Sequence, residues 1–128
     1  DYEPTDKAQN NDSLVLRAQY GATRFLLTGD MEKKIEQALY ARGLLRPSDV
    51  LKVGHHGSRT STNPDLLSAV HPAFGVISVG FDNTYGHPHP LVLEELRQQR
   101  VAVSRPARDG LVRIASDGHR IRIETGRY

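Results

Sequence analysis

A chain of 128 residues holds about one domain with a modest core and is too short for two. With 38% apolar and 25% charged residues it has the composition of a globular protein. No run approaches the ~20 apolar residues that cross a bilayer, and no signal-peptide pattern stands at its start. The absence of cysteine excludes a disulfide framework and thiolate metal sites, so any metal must be held by histidine and carboxylate.

Residues 1–13 are polar, contain Pro4 and lack periodicity, which predicts a lead-in segment, partly disordered, before a folded unit over 14–128. From 14 to 20, Leu14, Leu16, Ala18 and Tyr20 alternate with Val15, Arg17 and Gln19, a strand pattern; Gly21-Ala22 turns the chain into a second strand over 24–28. A helix is predicted over 30–42, with Met31, Ile35, Ala38 and Leu39 on one face and Gly43 ending it. A short strand over 49–53 runs into Gly54-His55-His56.

Ser61, Thr62 and Asn63 are N-cap candidates before Pro64, which opens a helix carrying Leu66, Leu67 and Val70. Residues 74–79 read as a buried strand. A polar loop with His87 and His89 leads into a helix over 90–100. Strands at 101–104, 111–115 and 120–125 follow, the last two joined by Asp117-Gly118. The order is ββαβαβαβββ, an α/β arrangement with helices flanking a mixed sheet.

Net charge is only +2, yet residues 97–128 hold eight arginines against Asp109, Asp117 and Glu124, a local balance of +5. Such an end could attract a polyanion; it could equally be a solvated strand face, since Arg120 and Arg122 alternate with Ile121 and Ile123. Of the aromatics, only Phe81 and Tyr85 fall near the motifs below, thin support for a base-stacking platform.

Three strand-to-loop turns carry groups that are hard to explain as packing. Thr28-Gly29-Asp30 places a carboxylate at a strand's C-terminal end, where ligands bind in α/β sheets; alternatively Asp30 caps the helix after it. In Gly54-His55-His56-Gly57 the two imidazoles diverge, so one would ligate an ion, His55 first and His56 second. The other would serve the substrate. His87-Pro88-His89-Pro90 sets two histidines on a stiff segment suited to phosphate binding or proton transfer, with His87 ahead of His89. Ser58, Thr60, Ser61 and Asn83 could donate to phosphate oxygens. His71 and His119 are read as structural.

Leu26-Leu27-Thr28-Gly29-Asp30, Leu51-Lys52-Val53-Gly54-His55-His56-Gly57-Ser58 and Tyr85-Gly86-His87-Pro88-His89-Pro90, in this order, resemble the C-terminal half of a metallo-β-lactamase-fold hydrolase. More closely, they are similar to the soluble domain of the ComEC DNA-uptake channel proteins of naturally competent bacteria. The resemblance covers most of residues 11–125. It implies half of an αββα sandwich with a two-metal site along one edge, Asp30 bridging two manganese or zinc ions and His55 completing one of them. Catalysis would involve His87, His89 and His56; phosphate binding would fall to Ser58, Thr60 and His87. The activity implied is nuclease cleavage of DNA during uptake, a metal-activated hydroxide attacking the phosphodiester.

One departure from the family pattern matters: no histidine precedes His55, so the family's first metal motif is missing. The chain is expected to be inactive alone and to bind metal weakly, because a catalytic zinc needs about three protein ligands. Its expected partners are DNA, the absent N-terminal half of the domain and the membrane-channel part of the same polypeptide, on the extracytoplasmic side. Self-association through the exposed edge is a further expectation. Alternatives are a hydrolase of another phosphoester or of a small ester or amide, and a non-catalytic DNA-binding or assembly module.

Overall fold

The computed structural model describes residues 9–126. Residues 1–8, most of the polar lead-in predicted from sequence, lie outside the described residues. The remainder of that segment contains a single 3-10 turn, Asn10–Asp12, in which the Gln9 N–H donates to the Asp12 carboxylate at 2.6 Å.

Strands β1 (Leu16–Tyr20) and β2 (Thr23–Leu27) form an antiparallel hairpin. Helix α1 (Lys33–Ala41), β3 (Val50–Lys52), α2 (Pro64–Val70), β4 (Phe74–Val76), α3 (Pro90–Gln98) and β5 (Ala102–Ser104) then alternate. A short helix α4 (Pro106–Asp109) leads to the hairpin of β6 (Leu111–Ser116) and β7 (Ile121–Gly126). The main sheet runs β1-β2-β3-β4-β5 in sequential order, with β2 to β5 parallel and β1 antiparallel at the edge. This is the mixed α/β half-sandwich anticipated from the sequence.

Register divides the side chains of the sheet into two sets. Leu26 pairs with Leu51, Leu51 with Gly75 and Gly75 with Val103, so these residues share one face. Leu26 and Leu51 pack with Leu66, Leu67 and Val70 of α2, Val92 and Leu96 of α3, and Ile35 and Leu39 of α1. All three long helices therefore cover the same face, as crossovers of one hand running in one direction must. Leu16, Leu27, Ala18, Phe25, Val50 and Lys52 share the opposite face. The β6–β7 hairpin starts near the C-terminal end of β5 and reaches the β1–β2 turn. There Thr23 Oγ1 and Ser116 Oγ lie 2.7 Å apart and the Ala22 N–H donates to the Gly118 carbonyl at 2.6 Å.

Several element boundaries differ from the sequence expectation. Helix α1 begins at Lys33, not 30, because Met31 turns into the core, 1% exposed, before the helix starts. Residue 43 ends it as expected: Gly43 has φ +65° and the Leu44 N–H reaches back to the Leu39 carbonyl. Strand β4 stops at Val76, where its last pairing, to Ser104 of β5, is made. Of the three cap candidates before Pro64, Asn63 is the cap; its Oδ1 accepts from the Leu66 N–H at 2.8 Å. Helix α4 has no counterpart in the sequence expectation, four residues being too few for a period to show.

Candidate functional site

All the motif-bearing turns follow parallel strands, so they rise at the same edge of the sheet. The Gly29 carbonyl, after β2, accepts from the His55 N–H at 3.1 Å and from Lys52 Nζ at 3.0 Å, tying the first two turns together. Burial pushes the Lys52 ammonium below its usual range, with the neighbouring Asp30 charge opposing that shift. The Asp30 N–H donates to Ser13 Oγ at 3.0 Å. Asp30 is no helix cap, since α1 starts three residues later with Glu32 at the N-cap position.

His55 and His56 occupy the left-handed region, at φ/ψ +45°/+48° and +54°/+24°. Such a conformation costs roughly 1–3 kcal/mol for each residue with a side chain, so the surroundings must hold two strained residues in succession. Its consequence is geometric: the two rings, 6.3 Å apart with planes at 63°, are aimed at different carboxylates. His56 Nε2 lies 3.5 Å from Asp30 Oδ1, and His55 Nδ1 lies 3.4 Å from Glu32 Oε1.

The second nitrogen of His56 fixes its role further. Nδ1 is 2.6 Å from the Ser78 carbonyl, which can only accept, so Nδ1 carries a proton. In the neutral ring Nε2 then presents a lone pair toward the Asp30 carboxylate. Two electron-pair donors facing each other call for a proton or a cation between them, and a histidine braced by a backbone carbonyl is the usual arrangement of a metal ligand. Of Asp30 and His55, paired in the sequence expectation, His55 is tied to the first turn through the Gly29 carbonyl, whereas the side-chain neighbour of Asp30 is His56.

Glu32 was missed from sequence. Besides His55 it accepts from Thr60 Oγ1 at 3.0 Å and from Asn11 Nδ2 at 3.5 Å, while its own N–H donates to Asn11 Oδ1 at 3.1 Å. The Asp30-Met31-Glu32 spacing, which sends two carboxylates outward around a buried methionine, is the signal that could have found it. Thr60 therefore sits at the site, engaged by Glu32. Ser58 is buried, and its hydroxyl is taken up by Thr60 Oγ1 at 3.0 Å, so it braces the loop. Ser61 Oγ donates to the Gly54 and Ser58 carbonyls inside the turn.

Glu36 supports this loop from behind. Buried on α1, it accepts from the N–H groups of Thr62 and Asn63, at 2.5 and 2.8 Å. Desolvation pushes its carboxyl above the ordinary range, and those two N–H groups oppose the shift.

The loop after β4 brings the third motif alongside. The Gly57 carbonyl accepts from the His89 N–H at 2.8 Å. A side chain at Gly57 would have its Cβ 2.6 Å from Pro88 Cβ, so only glycine allows this approach. The His87 ring stands edge-on to His55 with centroids 5.8 Å apart and is stacked by Tyr85 at 5.7 Å. Desolvation, then the charges of His55, His56 and His89, lower the His87 pKa and favour the neutral ring. The His89 ring is turned to a structural use, because its Nδ1 accepts from the Leu91 N–H at 3.2 Å and caps α3. Asn83 spans the loop, donating to the Gly80 and His87 carbonyls and accepting from the His87 N–H. His71 ends α2 in the left-handed conformation, and the His119 N–H donates to Asp117 in the β6–β7 turn.

Among the described residues no three histidines or carboxylates converge on a point that would hold a metal ion. Two pairs, Asp30–His56 and Glu32–His55, stand side by side instead. They offer the oxygen and nitrogen donors that manganese and zinc take, but they do not by themselves complete a site. No helix among the described residues is long and apolar enough to cross a membrane.

No family model matches the sequence. It is similar to ComE operon protein 3 of Bacillus subtilis (39% identical over 85% of this chain) and Recombination protein 2 of Haemophilus influenzae (43% over 94%). Competence protein ComA of Neisseria gonorrhoeae is 39% identical over 75% of it. The chain spans 14–15% of the length of these relatives.

Proposed function

The chain belongs with the ComEC-like competence proteins, and from that premise we propose that it forms part of a hydrolytic site acting on DNA during uptake in natural transformation. The observation that carries this reading is the Asp30–His56 pair: a carboxylate and a carbonyl-braced imidazole held 3.5 Å apart at the edge where the parallel strands end. Two consecutive left-handed histidines are a costly way to build a surface loop and an effective way to aim two donors.

The reaction proposed is cleavage of a phosphodiester in DNA by a protein that uses divalent manganese or zinc. Asp30, His55 and His56 would contribute donors, and Glu32 would orient His55. Further donors must come from outside residues 9–126, which puts the other half of an αββα sandwich among the partners. His87, stacked by Tyr85 and edge-on to His55, would exchange a proton with a phosphate oxygen. Thr60 is the remaining hydroxyl at the site. The channel portion of a longer polypeptide, tethering the site to the cytoplasmic membrane on its outer side, belongs to the same proposal.

The test uses the complete gene product containing this chain. Asp30→Ala and His56→Ala are each expected to lower manganese- or zinc-dependent hydrolysis of linear DNA by at least about 100-fold, the scale seen when a main electrostatic group of an active site is removed. Hydrolysis that survives both substitutions overturns the assignment.

A further inference from the structure

The histidine cluster does not end at His87. The loop after β4 and the turn containing α4 enclose a cavity of about 330 Å³, to which Phe81, His87, Pro88, Arg105 and Arg108 contribute walls. That volume lies at the lower end of the range of small-ligand sites, ~300–1,000 Å³. Two aromatic rings stand out from the loop: Phe81, which lines the cavity, is 89% exposed, and Tyr85 is 80% exposed. Tyr85 stacks on His87, which meets His55, so a ladder of rings runs from the loop toward the Asp30–His56 pair.

The opposite wall is cationic and held in place. Asp109 grips Arg108 at 2.7 and 3.0 Å and also accepts from the Arg105 N–H at 2.9 Å. Arg108 donates in addition to the Val103 carbonyl at 3.2 Å. Asp109 is thereby committed to the turn, its carboxyl drawn down to about 2 by the Arg108 hydrogen bond and the Arg105 N–H. Asp82 is the acidic residue of the loop after β4.

We propose that this cavity is a subsite for one unpaired nucleotide of a single-stranded polynucleotide. The base would stack on Phe81 and Tyr85, the flanking phosphate would meet Arg105, and the backbone would be led across His87 toward Asp30 and His56. Exposed rings beside guanidinium groups are the combination that single-strand binders use. Duplex bases, already stacked on one another, have no free face to offer. The proposal rests on the DNA-directed function proposed above for its purpose, but not for its chemistry, because stacking and phosphate contact need no metal.

The experiment is fluorescence anisotropy of a labelled thymidine 12-mer, and of a 12-base-pair duplex, titrated with the chain at low salt in EDTA. The single strand is expected to bind at least about 10-fold more tightly than the duplex. Phe81→Ala and Tyr85→Ala should each weaken single-strand binding about 10-fold. Arg105→Ala should weaken it and reduce the dependence on salt by about one phosphate contact. Both aromatic positions are exposed, so circular dichroism of these variants should match the parent.

Equal affinity for strand and duplex, or wild-type affinity in both aromatic variants, overturns the subsite. Asp30→Ala should leave the preference for single strand over duplex in place, so loss of the hydrolytic assignment would not remove the subsite. Conversely, loss of the single-strand preference with metal-dependent hydrolysis of DNA by the complete gene product intact would remove the subsite and leave the hydrolytic assignment standing.

Discussion

The two faces of the five-stranded sheet carry comparably apolar residues and meet different fates. On one, Leu26 and Leu51 are sealed under α1, α2 and α3, with Leu66, Leu67, Val70 and Leu96 at or near zero exposure. On the other, Thr23, 2.7 Å from Ser116 of the β6–β7 hairpin, and Val50 are buried, but Leu16 is 49%, Tyr20 61% and Leu27 43% exposed. The difference separates what holds the chain together from what it presents. Cohesion is concentrated on the helix side, the donors rise at the strand ends, and an apolar strip along β1 and β2 is left bare.

The comparison breaks most decisively at Leu67, fully buried on α2. Leu67→Ala should cost about 2–5 kcal/mol, read as a lowered urea midpoint. A loss under about 1 kcal/mol would mean that the helix face is not the cohesive one.

Glu36 sharpens the comparison, being a charged group on the covered side. Glu36→Ala, which strands the Thr62 and Asn63 N–H groups, should cost about 1–3 kcal/mol. Its pH dependence has a definite sign. Because burial raises the folded-state pKa above the ordinary value of 4.5, the folded protein holds more protons than the unfolded chain between the two values. This contribution to stability is present below 4.5 and is lost as pH rises through the folded pKa. Urea midpoints measured from pH 4 to 7 should show that decline, and Glu36→Gln should remove it. Identical slopes in the two proteins would show that Glu36 does not titrate there.

The smallest effect belongs to the bare strip. Leu16→Ser should change stability by no more than about 0.5 kcal/mol, as exposed substitutions do. If the strip drives self-association, the same change should lower the weight-average mass in sedimentation at high concentration. A destabilisation of about 2 kcal/mol would instead place Leu16 inside the core.

Much of the architecture was legible because it rests on short-range patterns. Apolar runs marked β2, β3 and β4, three cap candidates before Pro64 marked the start of α2, and Asp117-Gly118 marked the turn of the last hairpin. Asp30, His55, His56 and His87 stood out because histidines and a carboxylate at strand ends are poor packing material. Helix α4 and the early stop of β4 were not legible, since a four-residue helix has no period and a strand ends where its neighbour ends.

What the sequence settled by itself was which residues reach one edge: strand–turn–helix punctuation sends residues 30, 55, 56 and 87 to the same side of a parallel sheet. What only the tertiary structure decided was how those groups pair. The left-handed turn at 55 and 56 aims His56 at Asp30 and His55 at Glu32, and the cap of α3 takes up His89. Ring direction depends on backbone angles imposed by Gly57 against Pro88 and by Glu36 beneath Thr62, contacts made by residues 26 to 31 positions apart in the chain. No periodicity of one segment encodes that.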